Sequence, residues 1–248
     1  MKLTIILPIS RDTFFQRLFP SLEFMICPPD TSILAIVDGD IKLYEKARNY
    51  ISTSKFAERL CIHRNSQPQL TITSRRKRIA EIHNESKQYL KTTEMIFLAE
   101  DDTLYHPSTI RKLFDVYKNF PHAGFVSGAQ VGRWGLKYLG LWEVDNVYDP
   151  TKISSSQLKQ GVHEIDSSGF YCMMTRKETY LKHYFEPYEN ILGPDFNYGL
   201  WLRREGYRNY AHFDVHCTHL TQKEELKVIQ VAQVTYERGD DKKWKSAL

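Results

Sequence analysis

Glu100, Asp101 and Asp102 stand in the run Phe97-Leu98-Ala99-Glu100-Asp101-Asp102, directly behind a strongly apolar stretch. Carboxylates crowded where a buried segment surfaces repel one another unless a cation neutralises them. Hard oxygen ligands suit Mg²⁺ or Mn²⁺, which bind few carboxylates and fill their remaining positions with phosphate and water. The same acids can instead form a solvated turn that favours the positive end of the helix after Pro107. A second cluster, Ser74-Arg75-Arg76-Lys77-Arg78, stacks four cations into the first turn of a helix, where the dipole disfavours them. A phosphate would offset that charge, since helix N-terminal N–H groups and arginine forks both bind it. Arg75 and Arg78 are the phosphate candidates, whereas Arg76 and Lys77 lie off the apolar stripe and read as surface.

A third stretch runs from Gly193-Pro194-Asp195 through an arginine-bearing helix to Gly206-Tyr207, then to a strand holding His216 and His219. Side chains alternate along a strand, so His219 shares a face with Phe213, Val215 and Cys217, while His216 points the other way with His212 and Asp214. The apolar face looks inward, which makes His219 the interior histidine and His216 the exposed one. Asp195 is also the acid that a helix start would favour for its dipole alone. Between these stretches Trp134, Tyr138, Trp142 and Tyr148 lie among glycines, where aromatic faces could stack on a sugar ring or nucleobase, or pack a core beneath loops.

The elements that must position these residues follow from hydrophobic periodicity. Strands are expected at about 3 to 9, Ser32 to Val37, Leu60 to His63 and Met95 to Ala99. Between them lie an amphipathic helix carrying Phe15, Leu18, Leu22 and Met25, a second through Ala47, and a third from Ser74 to Leu90 with Ile79, Ile82, Ser86 and Tyr89 on one stripe. Such alternation implies a mostly parallel sheet covered on both faces, with ligands gathering outside the carboxyl ends of its strands, where Asp38 and Asp102 both fall. Further on, the pattern predicts a helix from Pro107, a strand Gly124 to Val131 and loops over 132 to 163. A strand Ile165 to Met174, a helix Pro194 to Glu205 closed by Gly206, and a strand Ala211 to Thr218 complete it.

The 248 residues, 42% hydrophobic, can build one sizeable core. A formal charge of +4 demands neither nucleic acid nor membrane as a partner. The apolar start stops at Pro8 and meets Arg11 and Asp12 instead of a cleavage site, and no segment is long and apolar enough to span a bilayer, so a cytoplasmic protein without integral membrane association is expected. Cys27, Cys61, Cys172 and Cys217 form no C-x-x-C pair and read as reduced core thiols.

Taken in order, these features resemble a GT-A-fold glycosyltransferase similar to family 2, over Leu3 to Leu220. They are a first strand ending at Pro8-Ile9-Ser10, an acid after the second strand, an arginine-led helix, a DxD-like triplet, an acid opening a helix, and a strand closing in a histidine. The resemblance implies an α/β, Rossmann-like single domain over 1–222, with a mostly parallel central sheet and helices on both faces. Residues 1–106 would form its nucleotide-sugar half and 107–222 its acceptor half, with a C-terminal helix and basic tail at 223–248.

The resemblance also implies roles. Asp102 and His219 would hold Mn²⁺ or Mg²⁺, and Asp38 would contact the nucleotide's base or ribose. Pro8, Ser10, Arg75, Arg78, Glu100 and Asp101 would complete the donor site. Glu100 occupies a position where the family more often has Asp. Asp195 would be the general base of an inverting transfer. Lys243, in Asp240-Asp241-Lys242-Lys243-Trp244, is similar to a Lys-Trp element of related transferases and would touch diphosphate. Trp134 and Trp142 would help choose the acceptor, a saccharide or a hydroxylated base in DNA. The implied activity is transfer of a hexose from a UDP-sugar. A sugar-nucleotide or glycan-binding module without turnover, to which Glu100 and Asn197 lend themselves, and a nucleotidyltransferase are the competing expectations.

Overall fold

The computed structural model describes residues 1–64, 72–131, 139–146, 153–155, 159–186 and 193–220. Trp134, Tyr138, Tyr148, Lys243 and the tail from 221 on lie outside the described residues.

Strands β1 (Leu3–Ile9), β2 (Ser32–Asp38) and β4 (Met95–Ala99) are almost continuously buried. Unbroken apolar runs of this kind are what a parallel sheet covered on both faces requires. β3 (Glu58–Arg64) is the more exposed edge. The helices α1 (Phe15–Phe24) and α2 (Ile41–Thr53) link β1 to β2 and β2 to β3. Met25 falls just past the end of α1 instead of inside it. The Asp40 carboxylate caps α2 by accepting the Leu43 N–H at 2.8 Å. α3 (Ile72–Ser86) begins earlier than its periodicity suggests and ends in a 3₁₀ turn at Lys87–Tyr89. That turn rotates Tyr89 off the apolar stripe, leaving it 37% exposed.

β1 pairs in parallel with β2 on one side and β4 on the other, and β2 with β3. The chain therefore steps outward from β1 to β3, then returns through α3 to the opposite flank of β1. With right-handed crossovers, α1 and α2 cover one face and α3 the other. The order reverses between β1 and β4, which is the place where an open sheet of this type holds ligands.

The second half consists of β5 (Thr103–Leu104), α4 (Thr109–Asn119), β6 (Ala123–Val131), β7 (Leu141–Val144), β8 (Ile153–Ser155), β9 (Val162–Ile165), β10 (Ser167–Ser168), β11 (Cys172–Arg176), α5 (Lys177–Lys182), α6 (Pro194–Arg204) and β12 (Arg208–His219). The main sheet runs β3-β2-β1-β4-β11-β6-β12-β5, with β9 also on β12. β11 is antiparallel to both its neighbours, while β6 and β12 are parallel. A smaller sheet has the order β10-β7-β8.

Three expectations differ from the structure. The stretch 132 to 163, read as loops, contributes β7, β8 and the start of β9, which are too short to show a period. The single strand expected over Ile165 to Met174 is broken around Gly169, because its pieces serve different partners: β9 pairs with β12, β10 with β7, and β11 with β4 and β6. The helix placed at Pro107 opens at Thr109, and Gly206 adopts φ +86° after α6, as a helix-closing glycine does. No helix among the described residues is long and apolar enough to cross a membrane.

Beneath the switch point, α3 meets α5 through His83, whose ring lies 4.3 Å from Phe170 and 5.3 Å from Phe185. Its Nδ1 is hydrogen-bonded to the Tyr180 hydroxyl at 2.8 Å. Burial, with a smaller push from the Lys87 charge, lowers the His83 pKa to about 3, and the same two causes lower His183 to about 4. An unfolded histidine binds its proton near pH 6.5, so between that value and the folded pKa the unfolded state holds more protons. Stability must fall as the pH drops through this window, by up to about 1.4 kcal/mol per pH unit for each such residue. Urea unfolding between pH 7 and 4.5 should show this loss. His83→Gln should flatten it; an unchanged slope would rule out His83 as its source.

Candidate functional site

The loops leaving β1 and β4 are tied together by one carboxylate. Asp101 Oδ2 accepts the Ser10 N–H at 2.7 Å, the Ser10 hydroxyl at 3.1 Å and the Arg11 N–H at 3.2 Å, while Oδ1 accepts Arg11 Nε at 3.2 Å. The same guanidinium donates from Nη2 to Asp102 Oδ2 at 2.8 Å. Asp101 and Asp102 are only 5% and 3% exposed. Burial holds the Asp101 carboxyl above the usual carboxylate range, Asp102 adding to the shift and Arg11 and Ser10 opposing it. Burial works against the Arg11 charge too, yet Asp101 and Asp102 keep its pKa above the ordinary value.

His219 reaches this cluster by strand register. β5 pairs antiparallel with β12 so that Thr103 lies opposite His219, and the Leu220 N–H donates to the Asp102 carbonyl at 2.7 Å. His219 Nε2 thus comes 3.2 Å from Asp102 Oδ2. That approach lacks the geometry of a hydrogen bond, and neither ring nitrogen of the 5% exposed His219 has a hydrogen-bond partner among the described residues. The alternation along β12 is the expected one: Phe213, Val215 and Cys217 are buried with His219, and Asp214 is exposed. His212 and His216 are half-buried, so His216 is less exposed than its face alone suggests.

Buried imidazole nitrogens left without partners are costly, and a cation shared with the adjoining carboxylate would satisfy both groups. One carboxylate and one imidazole form a donor set that fits Mn²⁺, and also Mg²⁺ with its stronger preference for oxygen. Among the described residues no group of three or more His, Cys, Asp or Glu side chains could hold a metal ion. Two protein ligands leave the remaining positions to phosphate and water, as is common for these ions.

Beside the cluster lies a cavity of about 420 Å³, lined by Pro8, Ser10, Asp38, Arg75, Arg78 and Glu100 together with Asp101 and Asp102. Asp38, 1% exposed at the end of β2, is paired with Arg78, which reaches its carboxylate through Nε and its backbone carbonyl through Nη2 at 2.9 Å. Among the described residues Asp38 Oδ1 is buried with no hydrogen-bond partner, an acceptor left unsatisfied. Sequence reasoning missed Arg11, His83 and Phe170, which line the same cavity. Arg11 lies just past the end of β1, and the pairing of β1 with β4 brings it level with the acidic triplet.

Asp195 stands in the first turn of α6, with Pro194 at the helix start. It is not among the residues lining that cavity, but its Oδ2 lies 3.5 Å from where a Cβ on Gly169 would be, and the next residue, Phe170, does line it. α6 approaches β10 so closely that a Cβ on Gly199 would come 2.7 Å from the Asp166 carbonyl oxygen. The Ser167 hydroxyl donates to the Phe196 carbonyl at 3.0 Å. Trp142, opposite Ser167 in β7, meets Phe196 edge-on at 5.6 Å. Trp142 thus stands against the first turn of α6, which carries Asp195.

A sequence profile described as Glycosyltransferase like family 2 matches residues 55–233. No curated protein matches the chain. Among solved structures, S. aureus TarS residues 1–349 in complex with UDP superposes with a TM-score of 0.57 at 14% identity, covering 97% of this chain and 67% of that one. The same fragment with UDP-GlcNAc gives 0.56 at 12% identity, covering 97% and 68%. GalNAc-T7 with UDP, GalNAc and Mn²⁺ gives 0.63 at 9% identity, covering 93% and 48%. At such identities the likeness is one of fold, and the chain spans 40% of the longer TarS chain it matches.

Arg78 is 16% exposed and is the cation beside the buried Asp38 carboxylate. Arg78→Met should therefore cost about 3–5 kcal/mol in urea unfolding, by stranding that charge. Adding Asp38→Asn should recover much of the loss; a double variant no more stable than the single one would refute the coupling.

Proposed function

The chain belongs to the glycosyltransferase-like family 2, and on that premise we propose that it transfers a hexose from a UDP-sugar to an acceptor hydroxyl in a metal-dependent reaction. The observation that carries this reading is the buried Asp102–His219 pair at 3.2 Å, its carboxylate lining the cavity beside the point where the strand order reverses. TarS with UDP and with UDP-GlcNAc, and GalNAc-T7 with UDP, GalNAc and Mn²⁺, support it as relatives in fold.

In this reading Asp102 and His219 hold Mn²⁺ or Mg²⁺, which supplies charge to steady the diphosphate as it leaves. Asp38 Oδ1 accepts a hydrogen bond from the base or ribose, its direction fixed by Arg78. Arg75, exposed at the first turns of α3, reaches toward the phosphates together with that helix's dipole. Pro8 and Ser10 form the floor. Asp101, already engaged with Ser10 and Arg11, orients those residues, and Glu100 faces the donor from the cavity rim.

Asp195 takes the proton from the acceptor hydroxyl as that oxygen bonds to the anomeric carbon and the bond from that carbon to the diphosphate breaks, giving inversion and releasing UDP. The helix start favours the ionised form that a base needs, while limiting its basicity. Trp142 offers a half-buried ring next to Asp195 for a saccharide face. Trp134 and Lys243 keep their roles in acceptor and diphosphate binding within the proposal, and a hydroxylated DNA base remains the other acceptor class.

Incubation with Mn²⁺ and a panel of UDP-sugars should release UDP once the acceptor is supplied. Asp195→Asn should lower kcat by about 10²–10⁴-fold with UDP affinity unchanged. Binding of a UDP-sugar by the wild-type protein with no release under any condition would favour a binding module. Pyrophosphate release from a nucleoside triphosphate would favour a nucleotidyltransferase.

A further inference from the structure

We propose that Arg11 is a stand-in cation for the donor site: it neutralises Asp101 and Asp102 while the site is empty, and swings to the donor diphosphate when a divalent ion claims Asp102. The inference rests on the donor-site reading above and goes beyond it by assigning a residue and an order of events.

Three features point to this. The guanidinium contacts both acids at once, from Nε to Asp101 Oδ1 at 3.2 Å and from Nη2 to Asp102 Oδ2 at 2.8 Å. The Asp102 oxygen it engages is the same atom that lies 3.2 Å from His219 Nε2, so the arginine and a cation held by Asp102 and His219 would compete for that carboxylate. Finally, the two acids are nearly inaccessible whereas the Arg11 side chain is 47% exposed, so the cation can leave while the carboxylates cannot.

Its backbone would stay in place during the exchange. The Arg11 N–H is held by Asp101 Oδ2, next to the Ser10 contacts on the same oxygen, and these bonds do not involve the guanidinium. The side chain therefore pivots from a fixed root inside the cavity that it lines. A guanidinium fork matches two phosphate oxygens as well as it matches two carboxylates, so the vacated group has a new partner once UDP and metal are present. Such an arrangement makes metal binding weak in the empty protein, because only the fraction with Arg11 displaced is competent. Metal and nucleotide diphosphate then bind cooperatively, since the nucleotide rewards the displaced state.

The test is a titration of Mn²⁺, followed by the electron paramagnetic resonance signal of the free ion, with and without UDP. Wild type, Arg11→Ala and Arg11→Gln are compared, each checked for folding by its urea midpoint, so that one well-folded variant is enough. Without UDP, removing the guanidinium should tighten Mn²⁺ binding by about tenfold, the reciprocal of a competent fraction near one in ten. With UDP present the order should invert, wild type holding Mn²⁺ and UDP more tightly than either variant. Unchanged or weaker Mn²⁺ binding by the variants without UDP overturns the stand-in role, as does the lack of inversion with UDP. If wild type still binds UDP in a Mn²⁺-dependent manner in those cases, the donor-site reading survives alone. Absence of any Mn²⁺-dependent UDP binding by wild type overturns both.

Discussion

Buried negative charge is the constraint around which this molecule is organised. Asp38 at the carboxyl end of β2, and Asp101 and Asp102 just past that of β4, each lose nearly all their contact with water, with β1 running between the two strands. A carboxylate in such surroundings must be neutralised, hydrogen-bonded or paired. Arg78 pairs with Asp38, the Ser10 and Arg11 N–H groups with the Ser10 hydroxyl and the Arg11 guanidinium bind Asp101, and the same guanidinium reaches Asp102. Asp101 has both oxygens engaged, but the other two arrangements are incomplete: among the described residues Asp38 keeps an oxygen without a hydrogen-bond partner, and the His219 ring beside Asp102 keeps two such nitrogens. That incompleteness sets the region apart from the satisfied core.

The sheet supplies the rigidity that this requires. β1, β2 and β4 are fully embedded, so the acids at their ends inherit fixed positions. The reversed strand β11 then joins this half to β6, which pairs in turn with β12 through a ladder whose register shifts between Arg208 and Tyr210 and between His212 and His216. Tyr105 braces the turn after the acids, its hydroxyl accepting the Glu100 N–H and donating to the Tyr171 carbonyl, both at 2.9 Å. On the far side, Arg203 pairs with Glu164 and, at 3.1 Å, with Asp166, locking α6 to the strands beneath Asp195.

Much of this was legible in the residues themselves. Continuous apolar runs ending in acids announce parallel strands, and Met95 to Ala99 and Ser32 to Asp38 carry that signal plainly. Alternation alone assigns His219 to the interior, because its face holds Phe213, Val215 and Cys217. The short strands β7, β8 and β10 leave no such trace: two to four residues cannot display a period, and their partners lie far along the chain. Arg11 was hidden for another reason. A lone arginine after a strand is commonplace, and only the adjacency of β1 and β4, a property of topology, places it between two acids.

β5 is only two residues long, yet its pairing with the end of β12 sets His219 against Asp102, and Leu220 donates its N–H to the Asp102 carbonyl. Two backbone residues of β5 thus decide whether an imidazole and a carboxylate meet. A one-residue change in the length of the turn between β4 and β5 would shift that register and separate the two groups, although neither side chain had been touched.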